Sequence, residues 1–321
     1  MRKFARMCLP LIDLVLVPFA LAASLVMKVI RRAKVSRLPR TTKVFRRVGV
    51  YPILDHYYEP LFNPAHLTKP LAADRNLSGI DWNVSEQLTL LAKFSYNNEL
   101  VEFPLDTLEH LGYYYRNGVF ESGDAEILYS MIRFFKPRRI VEIGSGQSTL
   151  LSASAVKENH FEDSDYSCDH VCVEPYENKW LDQIGVTIIR EPVESLGISM
   201  FQDLERNDIL FIDSSHIIRP QGDVLFEMFD ILPVLKPGVL IHVHDIFSPR
   251  DYLEEWIQTD IRFWNEQYLL EAFLSYNSEF EVVAALNFLK HQYPDELSAV
   301  CPVLREQLSY REPGSFWLRR V

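Results

Sequence analysis

Short, continuously apolar runs alternate with helix-like segments through most of the second half of the chain. The five runs occupy residues 139–146, 170–175, 186–191, 208–215 and 238–247. Strands that are apolar on both faces and separated by helices are typical of a parallel sheet covered on both sides. Two later runs, 280–289 and 314–321, are predicted to pair antiparallel at one edge. The pattern therefore predicts a doubly wound α/β domain.

The first run ends in a two-glycine turn. In the sequence VEIGSGQSTLL, Gly144 and Gly146 allow the backbone to approach a ligand, but Thr149 stands where a dinucleotide fingerprint has its third glycine. Glu142 precedes the turn, and a carboxylate there favours a ligand with a positive amino group over a pyrophosphate. S-adenosylmethionine (SAM) carries such an ammonium group. The turn is therefore predicted to hold SAM, with Ser145 between the two glycines.

Acidic residues also follow the next strands. Glu174 comes after the second strand, where it is placed to accept hydrogen bonds from two ribose hydroxyls. Glu194 comes after the third strand and is placed to meet the adenine amino group. Asp213, after the fourth strand, completes the predicted cofactor contacts. Because the carboxyl ends of parallel strands share one edge of a sheet, we expect these acids and the turn to line one crevice.

These motifs, together with ILFIDSSH and the final GSFWL, resemble the class I SAM-dependent methyltransferases, specifically the methyltransferase family 24 type. The resemblance covers roughly residues 118–321. It implies a Rossmann-like, mostly parallel sheet in the order 3-2-1-4-5-7-6, with an antiparallel strand at one edge. It places the family's acid before the turn on Glu142 and its ribose acid on Glu174. The distance between these two is longer than usual because of a polar insert, residues 160–170.

Methyl transfer requires a positioned acceptor and a group that removes its proton. Candidates follow the fourth and fifth strands, in the sequences DSSH and HVHD. His216 or His244, with Asp245, is the candidate general base, since histidine has an unperturbed pKa of about 6.5. Alternatively, Asp213, His244 and Asp245 bind a divalent cation, as related sugar O-methyltransferases hold Mg²⁺ after the same two strands. His244 replaces the first acid of their pair, and Mg²⁺ prefers oxygen ligands.

Three other acids are assigned structural positions. Asp124 is an alternative to Ser122 as the N-cap of a helix predicted over residues 122–137. Asp223 and Glu227 lie four residues apart on a predicted helix, which is typical of a solvated helix face.

The first 48 residues have the composition of a membrane attachment. Residues 7–27 contain one charged residue and match the length of about 20 residues that spans a bilayer. Residues 28–47 carry nine Lys and Arg, so they are predicted to bind anionic lipid and to leave the next domain on the cytoplasmic side. Pro10 and Pro18 leave two forms open, a transmembrane span and a bent helix that re-enters the same leaflet.

Three segments are therefore predicted. They are an anchor and basic arm (1–48), an aromatic and proline-rich cap or linker (49–117), and a methyltransferase domain (118–321). Aromatic residues of the middle segment either pack as a flap or stack on a substrate. Although residues 1–47 carry twelve Lys and Arg against one acid, the whole chain has a net charge of −11. The remainder is thus strongly acidic, which predicts no binding of nucleic acid.

The leading prediction is a membrane-attached O-methyltransferase that faces the cytoplasm and uses SAM, with Mg²⁺ as a second cofactor if the metal interpretation holds. Its predicted acceptor is a hydroxyl of a saccharide or of a lipid-linked envelope component. Two alternatives remain open: a non-catalytic SAM-binding subunit at the membrane, and an oxidoreductase or hydroxylase on the same fold.

Overall fold

The structure is a computed structural model that describes residues 2–107, 111–176 and 178–321. It divides into two compact units, Met1–Lys69 and Pro70–Val321. Residues 70–117, predicted as part of a cap or linker, pack within the second unit.

The first unit begins with one long helix, α1, Arg2–Arg32. Pro10 and Pro18 lie inside α1, which continues past both. Residues 9–32 of this helix are apolar and long enough to cross a bilayer, at about 1.5 Å per residue against a hydrocarbon core of about 30 Å. A 3₁₀ turn, Val35–Arg37, leads to helix α2, Pro39–Val48. The helix has no break at either proline, and the choice between the spanning and bent forms stays a prediction.

The second unit is built on a sheet of seven strands in the order β3-β2-β1-β4-β5-β7-β6, which confirms the predicted order. The strands are β1 Arg139–Ile143, β2 Asp169–Val173, β3 Thr187–Ile189, β4 Ile209–Ile212, β5 Leu240–Val243, β6 Phe280–Ala285 and β7 Phe316–Arg320. Strands β1 to β5 are parallel, and β7 runs antiparallel to both β5 and β6. The predicted antiparallel pair is therefore present, with β6 outermost.

Helices and turns connect these strands. The α-helices of the second unit are α3 Val84–Leu91, α4 Asn97–Leu100, α5 Asp124–Phe135, α6 Gln147–Glu162, α7 Ser199–Gln202, α8 Asp223–Phe226, α9 Glu266–Leu274, α10 Leu286–Gln292, α11 Pro294–Val300 and α12 Pro302–Arg305. The run predicted as a strand to residue 289 ends at Ala285, where α10 begins. Between β2 and β3, where the alternating pattern predicts a helix, the chain forms a 3₁₀ segment, Lys179–Gln183.

The strands are continuously apolar because both faces of the sheet are buried. In β4, Ile209 and Phe211 belong to the core on one face, whereas Leu210 and Ile212 belong to the core on the other. Successive side chains of a strand point to opposite faces, so each core receives every second residue. This arrangement leaves the carboxyl ends of the strands as the place for polar groups.

The aromatic residues near position 115 pack the core. Tyr113 and Tyr115 are buried, and their hydroxyls donate to the carbonyl oxygens of Phe120 and Leu100, each at 3.0 Å. Rings enclosed in this way do not reach a substrate. For these two tyrosines, the structure therefore supports packing and not stacking on an acceptor.

Candidate active site

A cavity of about 380 Å³ opens at the carboxyl ends of the parallel strands. This volume lies in the range of about 300–1,000 Å³ typical of small-molecule sites. Its lining includes four of the predicted cofactor contacts, Gly144, Glu174, Glu194 and Asp213. The expectation that acids after successive strands share one crevice with the glycine turn thus matches the geometry.

Gly144 is required by the packing of the turn. Its φ is +77°, and a Cβ placed there would lie 2.0 Å from the backbone oxygen of Asp213. Glycine avoids both the strained backbone and the clash. The neighbouring hydrogen bonds fix this approach, since the Gly144 amide donates to Val173 and the Asp213 amide donates to Ile143. The turn therefore lies directly against the end of β4.

Gly146 is not required in the same way. Its φ is −174°, and a Cβ placed there would meet no atom of the described chain within 4 Å. Its amide donates to Oγ1 of Thr149 at 3.0 Å. Thr149, which stands at the place of the third fingerprint glycine, thus closes the turn onto the start of α6.

Glu174 is held in place by the backbone around the cavity. Its carboxylate accepts hydrogen bonds from the amides of Ser145, at 3.2 Å, and of Tyr176, at 3.0 Å. Ser145 therefore orients this acid through its main chain. Glu194 lies in a short 3₁₀ turn, Val193–Ser195, and is exposed at the cavity.

Glu142 lies beneath the turn rather than in the cavity lining of the described residues. It is 1% exposed, and both carboxylate oxygens are engaged within the protein. Oε1 accepts from the Ser148 hydroxyl at 2.5 Å, and Oε2 lies 2.9 Å from Nε2 of His170. Glu142 thereby ties the first turn of α6 to β2. Its predicted contact with the cofactor stays a prediction.

A second polar cluster is centred on His216. Its Nε2 lies 3.3 Å from Oδ1 of Asp213 and 3.5 Å from Oδ2 of Asp245, and its Nδ1 lies 2.8 Å from Oε2 of Glu266. His216 and Asp245 both have left-handed backbones, with φ of +59° and +57°. Such conformations are held by surrounding packing and cluster at functional sites. The structure thus joins the ends of β4 and β5 through one imidazole.

This environment favours the charged form of His216. Burial alone would lower the pKa of His216, but hydrogen bonds to Asp213 and Glu266 outweigh it and raise the pKa well above its ordinary value. Burial opposes ionisation of Asp213 as well, yet the charge of His244 and the hydrogen bond from His216 lower its pKa to about 2. At neutral pH His216 is therefore an imidazolium that donates to carboxylates, which makes it a poor proton acceptor.

His244 occupies a different position from His216. It is 3% exposed, and its Nε2 lies 3.6 Å from Oδ1 of Asp245, the oxygen that does not face His216. Burial lowers the pKa of His244, but the charges of Asp245, Asp213 and Asp124 outweigh burial and raise it. Asp245 therefore stands between two imidazoles, one at each carboxylate oxygen.

Four buried acids surround this cluster, and Glu266 is the one among them that the sequence did not single out. Glu266 is fully buried at the start of α9, and Asp124 is buried where it accepts from the amides of Gly314 and Ser315. The expectation of a solvated face for Asp223 and Glu227 was wrong, because both are buried. Asp223 accepts from the amide and hydroxyl of Ser215, and Glu227 accepts from the hydroxyl of Ser214. These contacts hold the loop after β4.

Within this cluster, the donor atoms suited to a metal ion are those of Asp213, His216 and Asp245, which lie within 4.8 Å of one another. His244 is outside this trio, since it faces the other oxygen of Asp245. Glu266 holds Nδ1 of His216, as carboxylates often do for metal-binding histidines. A set with a central imidazole fits a divalent transition ion better than Mg²⁺, which prefers oxygen ligands.

Aromatic side chains border the cluster on the side of residues 250–265. The Trp264 ring lies 4.3 Å from the His216 ring, and the Arg262 guanidinium lies 4.4 Å and 4.5 Å from the Trp256 and Trp264 ring centres. Both indoles are partly exposed. Partly exposed indoles beside carboxylates provide a surface on which a ring-shaped ligand can stack.

Three similarities to known proteins bear on this site. A family described as a methyltransferase domain matches residues 141–246. An uncharacterized protein of Archaeoglobus fulgidus is 33% identical over 184 residues, which cover 53% of this chain and 81% of that protein. A solved structure of an O-methyltransferase from Bacillus cereus in complex with SAH (S-adenosylhomocysteine) is 14% identical in sequence. The match covers 75% of this chain and 91% of the chain of that enzyme, with a TM-score of 0.35. At that score the last similarity transfers no residue role.

Proposed function

We propose that the chain is a class I SAM-dependent methyltransferase that methylates a hydroxyl of a saccharide or lipid-linked acceptor at a membrane, since a methyltransferase-domain family matches residues 141–246. The observation that carries the proposal is the joining of two sites. The cavity holding Gly144 and Glu174 shares Asp213 with the cluster around His216. A methyl donor bound in the cavity would therefore face the carboxylates of that cluster.

The proposed proton acceptor is Asp245. Of the cluster members, only the side chains of Asp213 and Asp245 are appreciably accessible, at 34% and 17%, whereas His216 and His244 are nearly enclosed. A group that removes the acceptor's proton must reach it within hydrogen-bond distance. Asp213 faces the cavity, which leaves Asp245 for the acceptor. His216 and His244 then act as positioning residues that hold its two oxygens.

The chemistry beside Asp245 supports a sugar-like acceptor. The partly exposed indole of Trp264 lies next to the cluster, and the neighbouring carboxylates accept hydrogen bonds from hydroxyls. Arg262 adds a cation that suits a nearby phosphate or carboxylate on the same acceptor. An acceptor with a hydroxylated ring and an anionic group matches all three features.

The cofactor assignment is tested by calorimetry on the full chain in detergent. Wild type is expected to bind SAH and not NAD. Glu174→Ala is expected to weaken SAH binding by about 10- to 100-fold, because a carboxylate that accepts two ribose hydroxyls is lost. Glu191→Ala removes an exposed acid in the loop that follows β3 and serves as the matched control. NAD binding, or equal effects of the two substitutions, would contradict the assignment.

As an alternative to Asp245 acting as the base, we propose that the trio of Asp213, His216 and Asp245 takes up a divalent transition ion, which would displace the proton on Nε2 of His216 and make Asp245 a ligand. Titration with Mn²⁺ and Mg²⁺, followed by the electron paramagnetic resonance signal of free Mn²⁺, is expected to show tighter binding of Mn²⁺ by about tenfold or more. Glu266→Gln is expected to weaken Mn²⁺ binding by about 10-fold, since it removes the carboxylate that orients His216. Glu306→Gln removes an exposed acid outside the cluster, so it is the control and should leave Mn²⁺ affinity within about twofold. A preference for Mg²⁺ would rule out the proposed ligand set.

Membrane attachment is proposed through α1. Nine Lys and Arg follow its apolar part in residues 28–47, and cytoplasmic flanks carry an excess of such residues. The acceptor would then be presented at the cytoplasmic surface of the membrane. This placement agrees with an acid-rich second unit, which has no attraction of its own for an anionic surface.

A further inference from the structure

A cavity of about 600 Å³ lies within the first unit, beside the C-terminal end of α1. One wall consists of side chains from α1, including Ser24, Lys28 and Arg32. The facing wall comes from the segment that follows α2 and includes Pro52, Ile53 and Leu54. The cavity therefore combines cations from the helix with apolar groups from the facing segment.

Arg31 holds the two walls together. Its guanidinium donates to Oε1 of Glu59 and, at 2.9 Å, to the hydroxyl of Tyr51, and it lies 5.1 Å from the Tyr51 ring centre. Arg31 thereby fixes the segment from Tyr51 to Glu59 against the helix end. Its own charge is neutralised by Glu59, so it is a structural cation.

Lys28 and Arg32 are cations of a different kind. Ser24, Lys28 and Arg32 follow at intervals of four, so they lie on one face of α1. Within the described residues, neither Lys28 nor Arg32 forms an ion pair or a side-chain hydrogen bond. Asp55 also lines the cavity and offsets one of the two charges, and His56 adds a further possible donor. The cavity keeps a positive charge with hydrogen-bond donors that have no protein acceptor.

The apolar wall indicates what kind of anion fits. Pro52 is buried, Ile53 and Leu54 are partly buried, and Met27 completes the apolar lining. The apolar surface of α1 continues from this cavity along the helix, where Leu21 and Leu25 are exposed. A free anion would not use these surfaces, whereas a lipid phosphate would place its headgroup on the cations and its chain along α1. Basic pockets at the cytoplasmic ends of membrane helices bind headgroups in this way.

We infer that this cavity binds the phosphate headgroup of a single lipid through Lys28 and Arg32. The lipid is a phospholipid with a terminal phosphate, the group that phosphatidic acid presents. The inference rests on the proposed membrane attachment through α1. In a diffuse attraction, all cations of the basic arm would contribute to lipid binding. Here the two cations of one cavity, Lys28 and Arg32, account for the preference for a phosphate headgroup.

The test uses native mass spectrometry of the full chain in detergent, titrated with dioctanoyl phosphatidic acid, dioctanoyl phosphatidylcholine and inorganic phosphate. Wild type is expected to bind one phosphatidic acid in preference to the other two. Lys28→Gln with Arg32→Gln is expected to weaken this binding by about tenfold or more. Lys43→Gln with Arg47→Gln removes the same charges at the same spacing from the exposed α2 and should weaken it by less than about twofold.

Equal losses in the two double variants would overturn the inference in favour of a diffuse basic surface. Equal binding of inorganic phosphate would overturn the lipid assignment. Leu54→Glu is an independent variant that keeps both cations but places a charge in the apolar wall, and it too should lose phosphatidic acid. An unchanged circular dichroism spectrum and an unchanged elution volume in size-exclusion chromatography verify the fold of each variant. Membrane fractionation of wild type tests attachment separately. Recovery of the protein in the soluble fraction would contradict the proposed membrane attachment, whereas the lipid titration tests the cavity.

Discussion

Gly144→Ala is expected to reduce SAH affinity by more than about a hundredfold and to lower the free energy of unfolding by about 3 kcal/mol. The added Cβ would lie 2.0 Å from the backbone oxygen of Asp213, and the residue would keep a φ of +77°. Backbone atoms of β4 cannot yield as a flexible side chain would. Relief of the clash therefore moves the turn or Asp213, and both line the cavity. Urea unfolding and SAH calorimetry measure the two effects.

Two other glycines separate the causes. Gly185 has a φ of +76°, but a Cβ placed there would have no atom of the described chain within 4 Å. Gly185→Ala should therefore lower the free energy of unfolding by only about 1 kcal/mol, from backbone strain. Gly146→Ala has neither strain nor clash and should unfold like wild type. If it nevertheless weakens SAH binding, the open space beside Gly146 is where the cofactor approaches. A Gly144→Ala protein no less stable than Gly185→Ala would show that the contact with Asp213 is unimportant.

Asp245→Asn is expected to lower kcat by about 10²- to 10⁴-fold, the range for loss of a general base. Asparagine tolerates the left-handed backbone that Asp245 adopts, so the fold and SAH affinity should persist. Asp230→Asn removes an exposed acid at the end of the α8 region and should leave kcat unchanged. Transfer of labelled methyl groups from SAM to envelope fractions provides the measurement, and identification of the labelled product names the acceptor.

The pH profile adds a second readout for Asp245. Burial raises the pKa of Asp245 above its ordinary value, and the charges of His244 and His216 only partly oppose this. Because the carboxylate is the active form, kcat should fall as the pH decreases through that raised pKa. Asp245→Asn has no such group, so its residual activity should lose this acidic limb. A limb that persists in the variant would assign the titration to another residue.

The sheet was predictable because a strand that is buried on both faces is continuously apolar in sequence. Each of the five parallel strands is a short apolar run, and the strand order is the one that the resemblance implied. The cavity lining was also predictable, because the carboxyl ends of parallel strands lie at one edge of the sheet. Glu174, Glu194 and Asp213 follow three such strands, and all three line the cavity. Boundaries were less predictable, as at Ala285, where apolar residues continue from β6 into α10 and only the backbone changes.

The cluster around His216 could be predicted only in part. Asp213, His216 and Asp245 stand next to strand ends, so their convergence has a local signal. Glu266 is 50 residues from His216 in the sequence. It lies in a helix and does not follow the end of a strand, so no strand-end motif points to it. Asp223 and Glu227 have the four-residue spacing of an exposed helix face. Both are buried, however, and accept hydrogen bonds from the serine hydroxyls that follow β4. Long-range contacts of this kind have no signature in a single sequence.

The hydroxyl of Thr149 restricts how this lineage can change its cofactor. It occupies the amide of Gly146, one of the donors that a bridging diphosphate would need, and its side chain fills the place of a glycine. Replacement of Thr149 alone would free the donor but leave the Glu142 carboxylate beneath the turn, where it disfavours a pyrophosphate. Conversion to a nicotinamide enzyme therefore demands a change at Glu142 as well as at Thr149, whereas Glu174 suits the ribose of either nucleotide.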